Sequence, residues 1–254
     1  MKRGDGLNAH LFHCNSWYLV VKIGVVLLSF WLALFLAWHT LSSVHFLYPL
    51  LYDTLDFGAV IQHYAPLNIH KSDFEQTDRT QHIALFAEIV RAINRGGEGL
   101  AEMVYYTPQG QVIDTFLHSA EVIHLQDVAN LLETLTRATY WVMGGLCLMV
   151  MGLKWKKRPL NHLAKTLGWT LAALGGGTFL VIAWDAQALF YALHTLVFPE
   201  QHQWFFYYQE SLMTTLMKAP DIFAAIAGLL LVVAFGYCAI ILWLISRVLR
   251  VQKS

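Results

Sequence analysis

Glu121, His124 and Asp127 recur at every third position of the stretch Glu121-Val-Ile-His124-Leu-Gln-Asp127. On a helix that spacing puts all three side chains on one face. An imidazole held by a carboxylate is the usual arrangement of a general base, the carboxylate fixing the tautomer and stabilising the imidazolium. A merely polar helix surface gives the same pattern without any chemistry. The second candidate is His194, with Phe190 and Phe198 four residues to either side, in the aromatic-rich segment Leu189 to Phe223, which has no lysine or arginine before Lys218. Tyrosine and tryptophan concentrate where a protein meets lipid headgroups, and a histidine among them can work near its ordinary pKa of about 6.5. A histidine so near the hydrocarbon boundary is costly unless it faces the protein interior or water, so it either serves a site or snorkels at the interface. His202 and the run Trp204 to Tyr208 read as an interfacial aromatic segment whose rings are mostly membrane anchors.

The elements that must position these residues are membrane helices. Of the 254 residues 57% are hydrophobic and 13% charged, with a mean hydropathy of +0.48, whereas a soluble domain carries about 25% charged residues. The expected order is a tail (1–22), a first span (23–44), an extracytoplasmic segment (45–138) and a second span (139–155). A basic loop (156–162), a third span (163–189), an extracytoplasmic aromatic loop (190–220), a fourth span (221–246) and a tail (247–254) follow. The first apolar run exceeds a signal-peptide core of about 7 to 15 residues and shows no small-residue cleavage site after it, so it reads as a retained helix.

Within 45–138, Ile83, Phe86, Ile89, Val90 and Ile93 have helical spacing, and the helix should end at Arg95-Gly96-Gly97-Glu98-Gly99. Met103 to Tyr106 and Val112 to Phe116 flank Pro108-Gln109-Gly110, a hairpin pattern. Ser119 to Tyr140 regains helical spacing and should continue into the second span. The expected fold is an all-α membrane bundle of four transmembrane helices with a small α+β extracytoplasmic domain between helices 1 and 2.

Charge fixes the orientation. With both termini and the loop around Lys154 to Lys165 inside, that side holds 11 of the 17 basic residues and a single acid, a net +10, leaving −10 outside. The excess of lysine and arginine marks the cytoplasmic side. His45, His63, His70, His82, His118, His124, His194 and His202 then all fall outside.

Several chemistries lack their motifs. Cys14, Cys147 and Cys238 form no CxxC or disulfide framework, and there is no GxSxG, Walker A, GxGxxG after a strand, or HExxH. Imidazole suits copper and zinc, but the outward histidines are scattered. No metal site, cofactor or nucleic-acid partner is expected.

Taken in order, these features resemble the family of bacterial membrane proteins that includes the lipoprotein intramolecular transacylases. The matching positions are Glu121, His124, Asp127 and Val128, then Phe190, His194 and Phe198, then Trp204, Leu212, Leu216 and Pro220. Ala129 stands where the family often has lysine, and His45 to Asp78 matches no part of the pattern. The resemblance implies an inner-membrane acyltransferase with its site on the extracytoplasmic side. It would move the sn-2 acyl chain of a diacylglyceryl lipoprotein to the α-amine of the N-terminal cysteine, giving the lyso-form. Donor and acceptor share one molecule, so positioning supplies much of the rate and no covalent nucleophile is needed. His124, oriented by Asp127 or Glu121, is then the base and His194 the second acid–base group or oxyanion donor, roles that can be exchanged. Phe190, Phe198, Trp204, Phe206 and Tyr207 would hold acyl chains, with the diacylated lipoprotein and membrane lipid as partners. The competing readings are an acyl hydrolase on the same scaffold and a non-enzymatic protein binding copper or zinc through its outward histidines.

Overall fold

The computed structural model describes residues 5–157 and 191–250, with positions 168, 172, 175 and 176 between them. In chain order the elements are α1 (Asp5–Ser43), α2 (Tyr48–Thr54), α3 (Phe57–Tyr64), α4 (Arg79–Ile93), β1 (Val104–Tyr106), β2 (Val112–Thr115) and α5 (Ser119–Trp155). Then come α6, helical over the described residues 191–197, α7 (Leu212–Met217) and α8 (Asp221–Arg250). The chain forms two compact units, one of Met1–Ala37, Ala138–Leu189 and Val233–Ser254, the other of Trp38–Arg137 and Phe190–Val232. The two sequence segments expected outside the membrane thus contribute to one unit.

The apolar stretch Trp17–Ser43 of α1 and the whole of α8 are 27 and 30 residues long, and most of each belongs to the first unit. About 20 residues suffice to cross a hydrocarbon layer of about 30 Å. They are the two described helices long and apolar enough to do so, with mean hydropathies of 2.5 and 2.6. α1 begins at Asp5 and so runs through most of the expected tail. Ser29, Ala33 and Ala37 are buried along it, a Cβ on Gly24 would stand 3.2 Å from Met149, and Trp31 Nε1 donates to Thr139 Oγ1 at 3.0 Å. Gly24 therefore permits close approach of α1 to α5. Residues 139–155 form the C-terminal part of α5, which is unbroken from Ser119. The span expected at 163–189 lies outside the described residues.

The second unit is built on an aromatic core. Tyr48, Phe46, Phe57, Phe74, Tyr105 and Phe116 are fully buried, and the Tyr48 ring stacks on Phe86 at 4.0 Å between centroids. Asp78 caps α4 by accepting from Gln81 N at 2.8 Å. The buried face of α4 carries Leu85, Phe86, Ile89, Val90 and Ile93. The hairpin pairs Val104 with Thr115 and Tyr105 with Asp114, with a bulge between Tyr105 and Tyr106, and Gly110 at φ +81° closes its turn.

His82 also lies on the buried face of α4, at 2% exposure. Thr77 Oγ1 donates to Phe74 O, so it accepts from His82 Nε2 at 2.6 Å, and His82 Nδ1 accepts from the Tyr52 hydroxyl at 2.8 Å. Burial pushes the His82 pKa down to about 4. The folded value lies below the unfolded one, so this contribution is complete above about pH 6.5 and is lost as pH falls towards 4, on the order of 3 kcal/mol. Protection of α4 amides in hydrogen exchange should fall over that window, and His82→Gln, which can keep both bonds without titrating, should remove the dependence.

After α4 the chain turns through Gly97, at φ +90°, where a Cβ would meet Gln126 Oε1 at 2.0 Å. Gln126 Nε2 donates to Gly96 O at 2.8 Å, tying the turn to α5. Gly97→Ala combines a left-handed backbone with this clash and should cost about 2 kcal/mol, measured as a lower unfolding temperature.

Candidate functional site

α5 opens with a helix cap in which a histidine replaces the usual serine or threonine. His118 Nδ1 accepts from Ala120 N at 3.2 Å, and Glu121, three residues on, reaches back to accept from His118 N at 2.7 Å. This is the reciprocal geometry of a capping box. Glu121 Oε1 also accepts from Ser211 Oγ at 2.5 Å and from Met213 N at 3.1 Å. Ser211 in turn caps α7, its Oγ accepting from Thr214 N at 2.8 Å. One buried carboxylate thus sits at the starts of two helices, where unpaired N–H groups and the helix dipole favour negative charge. Burial pushes the Glu121 carboxyl up, while its bonds to Ser211, His118 and Met213 pull it back towards the ionised form.

One turn further along α5 stands His124. Its ring packs edge-on against Phe198 at 5.0 Å and lies tilted to Phe206 at 6.0 Å. Burial, and next the neighbouring His194, push its pKa down to about 4, so the imidazole is neutral at physiological pH. Its Nδ1 is enclosed and has no hydrogen-bond partner.

Phe198 also touches His194, 5.4 Å between centroids, and His194 lies 4.8 Å from Trp204. Two histidines far apart in sequence therefore flank one phenylalanine. Phe206 is buried and lies 5.7 Å from His118 as well, while Tyr207 is 61% exposed. Phe190 lies outside the described residues.

Asp127 does not bond to His124. Its Oδ2 accepts from His202 Nδ1 at 2.6 Å, with side-chain exposures of 14% for Asp127 and 33% for His202. Sequence spacing groups Asp127 and Glu121 with His124; in the structure both carboxylates bond to groups from the aromatic loop instead. His202 was legible only as one member of an aromatic run, because a partner 75 residues away leaves no periodic signal. Among the described residues no group of three or more histidine, cysteine or acidic side chains is arranged to hold a metal ion.

No curated protein matches the chain. Two in meso structures of the membrane integral lipoprotein intramolecular transacylase Lit from Bacillus cereus, each with a single histidine replaced, have a similar fold. The first, with arginine in place of the histidine, has a TM-score of 0.64 at 16% identity, covering 99% of this chain and 98% of that one. The second, with alanine there, also scores 0.64 at 16% identity, covering 96% and 98%. A third structure of the same protein scores 0.61 at 17% identity, covering 95% and 98%. The model of the family described as lipoprotein intramolecular transacylase Lit matches residues 23–219. The stretch includes Glu121, His124, Asp127, His194 and His202, and the chain belongs to the lipoprotein intramolecular transacylase family.

Proposed function

We propose that this protein moves the sn-2 acyl chain of a diacylglyceryl lipoprotein to the α-amine of its own N-terminal cysteine, leaving a lyso-form lipoprotein. The observation that carries this reading is the grouping of His124 and His194 around Phe198 in a member of this transacylase family. Acyl transfer to an amine needs stabilisation of a tetrahedral oxyanion and a proton for the departing glyceryl oxygen. His124, held neutral between Phe198 and Phe206, supplies an N–H to the oxyanion. His194 supplies the proton to the glyceryl oxygen. Phe190, Phe198, Trp204, Phe206 and Tyr207 form an apolar bed for the migrating chain, and exclusion of water favours attack by the amine over hydrolysis. No nucleophilic side chain is required, since amine and ester belong to one molecule. Ser211 suits none, being bonded to a carboxylate rather than a histidine.

The protein crosses the bacterial inner membrane four times, through α1, residues 139–155, residues 163–189 and α8. Both termini are cytoplasmic and His124, His194 and His202 lie outside, a topology supported by the split of +10 and −10 in charge. The reaction is an isomerisation, so the intact mass of the product equals that of the substrate. The test is fragmentation of the N-terminal lipopeptide after incubation with enzyme in vesicles. An amide-linked acyl chain and a free glyceryl hydroxyl are expected; released fatty acid would identify a hydrolase instead.

A further inference from the structure

The geometry points to His202, held by Asp127, as the group that takes the proton from the attacking α-amine. This assignment rests on the acyl-transfer reading and adds its missing proton acceptor. A carboxylate can only accept, so the 2.6 Å contact with Asp127 Oδ2 fixes the proton of neutral His202 on Nδ1 and leaves the Nε2 lone pair outward. The ring is one-third exposed and Nε2 has no hydrogen-bond partner among the described residues. A turn in which His202 N donates to Pro199 O at 3.0 Å holds its backbone. Asp127 stands one helical turn from His124, a Cβ separation of about 5–6 Å, so the His202–Asp127 pair borders the same aromatic wall. The adjacent carboxylate also stabilises the imidazolium formed once the proton arrives.

His118, which caps α5, and His124, within it, are less suited to that role. The Nδ1 of His118 is occupied by a backbone N–H and its Nε2 is enclosed. His124 has no carboxylate partner and sits between two phenylalanines, where a cation is poorly solvated.

The step balances. The amine nitrogen attacks the sn-2 ester carbonyl and a C–N bond forms. One N–H proton passes to His202 Nε2, the C–O bond to glycerol breaks, and His194 delivers a proton to the glyceryl oxygen. Water carries the proton from half-buried His202 to His194, restoring both histidines.

The test uses the full-length enzyme in vesicles with a synthetic diacylglyceryl lipopeptide bearing a free α-amine. His202→Gln keeps an N–H for Asp127 but has no basic nitrogen, so kcat should fall 10²- to 10⁴-fold with KM changed less than about threefold. His202→Ala should be restored in part by added imidazole. The double variant His202→Gln/Asp127→Asn should be no slower than about threefold below His202→Gln, since the two act as one unit. If wild type and His202→Gln convert at the same rate while His124→Ala does not, the acyl-transfer reading stands and His202 is not the acceptor. If wild type makes no lyso-form, both fall together.

Discussion

Replacing His124 with alanine is expected to slow lyso-form production about 10²- to 10⁴-fold without unfolding the protein. The ring touches Phe198 and Phe206 and makes no hydrogen bond among the described residues, so the loss should be in rate rather than in stability. His124→Gln separates the possible roles. A glutamine side chain offers an N–H but no basic nitrogen, so an oxyanion donor at this position predicts that Gln is faster than Ala by tenfold or more. A general base predicts that the two are equally slow. The pH profile supplies a second readout. Because burial holds the His124 pKa down to about 4, the ring stays neutral from pH 8 to pH 5. Any fall in rate over that window comes from other groups, and the acid limb should remain in His124→Gln.

Glu121→Ala should destabilise the second unit by about 3–5 kcal/mol. The change removes the acceptor for the Ser211 hydroxyl, Met213 N and His118 N, leaving two buried donors and one part-buried donor unpaired at the starts of α5 and α7. Glu121→Gln keeps a carbonyl oxygen in the same place and should cost about 1–3 kcal/mol. Thermal unfolding in detergent should rank the proteins wild type, Gln, Ala. At a temperature where Glu121→Gln is folded, conversion should be within a few fold of wild type. Retention would mark Glu121 as a positioning residue, whereas a loss of 10²-fold or more in a folded variant would place its carboxylate in the chemistry.

The parts of the fold legible in the sequence are those where a local pattern coincides with burial. Ile83 to Ile93 repeats at helical spacing because one face of α4 meets the aromatic core, and Pro108-Gln109-Gly110 supplies the φ of +81° that the hairpin needs. The segment from His45 to Asp78 carries no such signal. His45, Phe46, Leu47, Asp56 and Asp73 all have positive φ without being glycine, conformations that local propensity disfavours. Buried Phe46, Tyr48, Phe57 and Phe74 offset that cost by filling the core around them, and contacts of that kind leave no periodicity. His82 belongs to the same class: its sequence neighbourhood resembles that of the exposed histidines, and only the Tyr52 and Thr77 hydroxyls distinguish it.

At the site, the spacing of Glu121, His124 and Asp127 reflects their common helix, α5, but not their partners. A three-residue period says which side chains project together and nothing of what approaches them from the aromatic loop. Glu121 meets Ser211 and Asp127 meets His202 only because that loop and α5 fold into one unit.

Transfer within a single lipoprotein molecule leaves donor and acceptor labels together, which a crossover experiment reads. Two diacylglyceryl lipopeptides, one with deuterated acyl chains and an isotopically heavy peptide and one unlabelled, are mixed with the enzyme in vesicles. The N-terminal amides are then fragmented. Deuterated chains found only on heavy peptides, with light chains only on light ones, is the expected result. Deuterated chains on light peptides, or free fatty acid in place of amide, would contradict the account.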